Sequence, residues 1–171
     1  MLKTVTLARR RGGGVLRRAA GLAAAVAVVW ASAGVLTRAA TTELVVTDRT
    51  SGLALSGFDP VAFFTEGAAL EGRREHEYVL EGIAWRFRNT GNRAAFVRDP
   101  DVYRPGFGGY DPVALGDGFP VAGDPRLWAV HRQRLYLFST DANRQRFLKI
   151  PAGVLDDAGR AWPAVMKTLS P

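Results

Sequence analysis

The side chains best suited to chemistry in this sequence are two imidazoles and two carboxylates. His76 and His131 are the only histidines, Asp59 and Asp111 each open the tetrapeptide Asp-Pro-Val-Ala, and Tyr110 immediately precedes the second aspartate. Cysteine is absent from all 171 residues. That excludes disulfides, thiolate zinc sites, iron–sulfur clusters and a Cys nucleophile, so any metal must take nitrogen or oxygen donors. Two imidazoles with one or two carboxylates form a borderline-to-hard donor set that suits zinc, copper(II), nickel or iron, and not copper(I), which prefers sulfur. The cofactor expected at such a site is a divalent transition metal, with binding that weakens below about pH 6 because imidazole must be neutral to ligate. The same residues also admit a structural reading. Asp before Pro in a turn caps nearby backbone N–H groups, while His76 opens a charged strand and His131 flanks a hairpin turn.

Other chemistries are poorly provided for. The chain contains no His-Glu-x-x-His, no Gly-x-Ser-x-Gly and no phosphate-loop motif, and only five serines, so nucleophilic or zinc-protease hydrolysis has no grouping to carry it. An enzyme is not expected. Gly106, Gly108 and Gly109 could let a ligand approach the backbone, or could serve a tight turn. Trp85, Tyr103, Trp128, Trp162 and the other aromatics could line a flat pocket for a cofactor such as haem, although core packing is the default use of aromatics at strand spacing.

The elements that must position these residues are disclosed by an internal repeat. Ser-Gly-Phe-Asp-Pro-Val-Ala-Phe-Phe at 56–64 returns as Gly-Gly-Tyr-Asp-Pro-Val-Ala-Leu-Gly at 108–116, at an offset of 52. Residues 79–96 align with 130–147 at an offset of 51, matching Val79, Phe87, Asn92, Arg93 and Phe96 to Val130, Phe138, Asn143, Arg144 and Phe147. One single-residue gap reconciles the offsets, which gives repeat units at about 57–96 and 109–147. In each unit the Asp-Pro step makes a turn, and alternating apolar residues around Glu81-Gly82 or Arg132-Gln133 predict a β-hairpin. Thr90 or Ser139/Thr140 then offers the N-cap of a short helix that stops at Asp99-Pro100 or Ile150-Pro151. Beyond Val154 the apolar spacing is helical, with Pro163 expected to break or restart the helix. The expected fold class is α+β: a small domain of two tandem β-hairpin–helix units with a C-terminal helix, preceded by an N-terminal hydrophobic helix.

Charge assigns that N-terminal segment its role. Seven of the 23 basic residues lie within residues 1–40 with no acid among them, which leaves sixteen basic residues against all sixteen acidic ones in the remainder. The globular part is formally neutral, so no nucleic-acid partner is expected. Ala19 to Leu36 carries no charge and follows two arginine clusters, which predicts a cytoplasmic N-terminus and a periplasm-facing domain. Ala31-Ser32-Ala33 offers a cleavage site, whereas the full stretch just reaches spanning length, so residues 1–40 are a signal peptide or a membrane anchor. Arg17-Arg18 is compatible with twin-arginine export as well as with an ordinary secretory signal. Residues 41–52 read as a linker and 53–169 as the domain.

Asp-Pro-Val-Ala-Phe-Phe, a hairpin ending in Trp-Arg-Phe, and the stretch from Asn92 to Tyr110 resemble the YHS-domain family, in particular its exported bacterial members. The resemblance covers roughly residues 53–165. It implies heavy-metal handling, a role served in the family by cysteines. Here the position after Asp-Pro-Val is Ala62, and Asp111 follows Gly-Gly-Tyr. Two functions are therefore expected as alternatives: an exported ligand- or metal-binding module using His76, His131, Asp59 and Asp111, or a non-catalytic interaction domain without the metal ligands. The partner is a small ligand or a protein, together with the membrane if the N-terminal segment is retained.

Overall fold

A computed structural model of the chain describes residues 44–169. The N-terminal hydrophobic segment lies outside the described residues. Within them the architecture is α+β, with two two-stranded antiparallel sheets, short helices between them and a long C-terminal helix.

The first unit runs through a 3-10 turn at Leu55–Gly57, a short helix α1 (Ala62–Thr65), strands β1 (Arg73–Leu80) and β2 (Ile83–Phe87), helix α2 (Thr90–Arg98) and a single helical turn α3 (Pro100–Tyr103). The second repeats that order: a 3-10 turn at Gly106–Gly109, α4 (Pro112–Gly116), β3 (Asp124–His131), β4 (Arg134–Phe138), α5 (Asp141–Lys149) and α6 (Pro151–Leu169). The correspondence reaches the backbone. Both hairpins turn through two residues of positive φ, Glu81-Gly82 and Arg132-Gln133, the conformation a two-residue loop needs to match strand twist. Both ladders are interrupted at one place, between Arg73 and Glu77 in β1 and between Asp124 and Trp128 in β3. Gly72 and Gly123 donate to the carbonyls of Gly57 and Gly109 at 2.8 and 2.9 Å. At each, a Cβ would collide with the returning strand, at Arg86 and Leu137 respectively.

Side-chain packing explains why each hairpin keeps its helix. Trp85 and Phe87 project from one face of β2 onto Phe96 of α2, with ring centroids 4.8 and 5.1 Å apart. Tyr136 and Phe138 of β4 do the same to Phe147 of α5 at 5.2 and 5.1 Å. The two units then share a core: Leu135 and Leu137 of β4 are buried with Phe58, Phe63, Trp85 and Phe96, and Phe63 meets Trp128 edge-on at 5.2 Å.

Three local expectations need revision. The cap of α2 is Asn89, whose side chain accepts from the Asn92 N–H at 2.8 Å, so Thr90 is the first helical residue rather than the cap. In α5 the expected Thr140 serves, accepting from Asn143 N at 3.1 Å. Pro163 neither breaks nor restarts α6, which is continuous from Pro151 to Leu169. The lost backbone bond is offset by tertiary packing, with Trp162 against Phe107 and Tyr110, and Val154, Ala158 and Leu169 buried. Part of the stretch read as a linker is built into the domain. Val46 N donates to Gly108 O at 2.8 Å, and Asp48 closes a turn by accepting from the Thr50 and Ser51 N–H groups. Among the described residues no helix is long and apolar enough to cross a membrane.

Candidate functional site

Asp59 and Asp111 are completely buried. A buried carboxylate is tolerable only if donors replace the lost water, and both aspartates are surrounded by them. Oδ1 of Asp59 accepts from Val61 N at 2.8 Å and Ala62 N at 3.4 Å, and Oδ2 accepts from Arg88 N at 2.8 Å and Asn92 Nδ2 at 2.7 Å. Oδ1 of Asp111 accepts from Val113 N at 2.9 Å and Ala114 N at 3.3 Å. Its Oδ2 accepts from Ser139 N at 2.8 Å, Ser139 Oγ at 2.6 Å and Asn143 Nδ2 at 2.7 Å. In each unit one carboxylate therefore joins three segments: the turn that starts the short helix, the exit of the second strand, and the first turn of the following helix. Asp59 N and Asp111 N also donate to Leu70 O and Val121 O, at 2.8 and 2.9 Å.

That geometry is a structural knot, and it leaves little of either carboxylate for a ligand. The expected metal set does not assemble. Among the described residues no three His, Asp or Glu side chains are placed to hold a metal ion. His76 lies half-buried in β1. His131 ends β3 with its ring edge-on to Phe147 at 5.8 Å. Tyr110 is buried, its ring 6.0 Å from that of Trp162. The physical reason is topological: the repeat places each aspartate at the start of its own short helix and each histidine on its own hairpin, so the duplication multiplies a fold element without bringing the donors together.

The other candidates are also taken up by the fold. The glycine-rich turn is approached by the protein itself: a Cβ at Gly108 would strike the Leu44 carbonyl, and one at Gly106 would lie 2.5 Å from the Tyr136 ring. The aromatics expected as a flat pocket wall pack on one another, Trp85 being 1% exposed and Phe87 and Phe96 fully buried. A crevice between α4, α5 and α6 is a shallow, open depression with no room for even a water-sized sphere, unlike the concave pockets that hold small molecules. The Arg146 and Asp117 side chains at its mouth already pair with each other at 3.1 Å.

Asn92 and Asn143 are the site residues that sequence reasoning left without a role. The signal was present: an Asp and an Asn recur together in both copies, separated by 33 and 32 residues. Comparison of the chain with family models, with curated proteins and with solved structures gives no match in any of the three.

Proposed function

We propose that this chain is an exported, non-catalytic binding module of YHS-like type, in which the repeated aspartates hold the fold and recognition takes place on the outer surface. The observation that carries this reading is the saturation of Asp59 and Asp111 by four and five donors. Both aspartates are already committed to backbone, amide and hydroxyl partners, so a metal-binding role through them has no support from the geometry. Export is supported by the basic start and uncharged stretch of the N-terminal segment. Elemental analysis and an absorption spectrum of protein purified from its own compartment test the reading. No stoichiometric transition metal and no Soret band are expected, and either one would return the chain to the metal- or cofactor-binding class. A phosphatase fused after residue 50 should be active only outside the cytoplasm.

A further inference from the structure

The two copies share a backbone but differ in what they display at the hairpin tip, and the difference is concentrated in charge. In the second unit the tip is His131-Arg132-Gln133-Arg134, against Leu80-Glu81-Gly82-Ile83 in the first. The helix end beside it reads Leu148-Lys149-Ile150 in place of Val97-Arg98-Asp99. The contact between His131 and Phe147 holds this helix end against the tip. Over these equivalent positions the first unit carries Glu81, Arg98 and Asp99, net −1, and the second carries Arg132, Arg134 and Lys149, net +3 with His neutral.

The fold accounts for only part of this. Glu81 pairs with Arg104 at 3.0 Å, and Arg134 donates to Asp101 O at 2.6 Å. Arg132 and Lys149 are exposed and pair with no carboxylate among the described residues. On either side of Lys149 in the chain, Leu148 and Ile150 are 49% and 54% exposed. The turn is also made at a cost: Gln133 has φ +59, where the first copy uses Gly82, and left-handed backbone disfavours a residue with a Cβ.

We propose that this tip of the second unit docks on an anionic lipid surface. Unpaired cations beside exposed aliphatic side chains match a headgroup layer, which takes charge at its surface and apolar groups just beneath. A nucleic-acid backbone has no comparable use for Leu148 and Ile150. The proposal rests on the reading of the chain as an exported surface-binding module, and it names the partner.

The absence of cysteine allows a direct test in the full-length chain. Leu148→Cys and, at the equivalent position of the first unit, Val97→Cys are each labelled with an environment-sensitive fluorophore. The labelled proteins are reconstituted in vesicles that carry a lipid-borne quencher. The Leu148 label should be quenched in vesicles containing phosphatidylglycerol and not in phosphatidylcholine alone, with the Val97 label little affected in either. Arg132→Glu with Lys149→Glu should weaken the response about tenfold. Equal quenching at both positions, no dependence on phosphatidylglycerol, or a Leu148 label that responds to single-stranded DNA instead would each overturn the proposal. The metal analysis above is independent of this result, so failure of lipid docking is distinguishable from failure of the functional reading.

Discussion

Asn92 Nδ2 lies 2.7 Å from Asp59 Oδ2, and in the second unit Asn143 Nδ2 lies 2.7 Å from Asp111 Oδ2. The two pairs tie a helix to a turn more than thirty residues away, through carboxylates that water does not reach. Equivalent geometry in both copies makes each unit a control for the other.

The glycines next to the hairpins give a prediction of both signs. Gly72→Ala should destabilise strongly, because its Cβ would collide with the backbone of Arg86, and Gly123→Ala should do the same at Leu137. Gly159, inside α6, meets nothing within 4 Å, so Gly159→Ala should stabilise by about 0.5–1 kcal/mol through helix propensity. Urea midpoints of the three variants check this, and a stable Gly72→Ala protein would contradict the register of the first unit.

Arg93 Nε donates to Glu77 O at 3.1 Å, and Arg144 Nε donates to Trp128 O at 2.7 Å. Each guanidinium clamps a helix to the first strand of its hairpin. Replacing either by Ala should cost about 1–2 kcal/mol, and Arg→Lys should recover only part of it because the forked planar donor is lost. Chemical unfolding of the four variants measures both effects.

Burial holds the Tyr136 phenol above the ordinary tyrosine range, with the neighbouring Arg134 and Arg132 pulling the other way. Its folded value exceeds the unfolded one, so the neutral phenol contributes stability that is complete below the unfolded pKa and is lost as pH rises through the folded one. The phenolate absorbance of wild type minus Tyr136→Phe should therefore appear above pH 10.0. Arg132→Glu should move it further up.

Much of this fold was legible because the chain states it twice. Matching Phe87 to Phe138 and Phe96 to Phe147 identified the residues that pack hairpin on helix, and the Pro100 and Pro151 stops fall where helices α2 and α5 end. The continuity of α6 was not legible, since the ring contacts of Trp162 and the burial of Leu169 that override Pro163 are tertiary. The site was half legible. An Asp before Pro reads first as a cap and second as a ligand until its distant partners are placed, and the amides of Asn92 and Asn143 reach it from sequence separations that local spacing cannot show.

The most direct test of the structural role of the two aspartates is the unfolding free energy of Asp59→Asn and Asp111→Asn, measured with and without zinc. Each substitution puts an amide N–H₂ where the surrounding groups are donors, and each should cost about 2–4 kcal/mol. The losses should be similar in the two units and unchanged by zinc or by a chelator. Variants as stable as the wild type, together with a zinc-dependent stabilisation of the wild type that they lack, would show the carboxylates to be ligands rather than the knots that hold each unit.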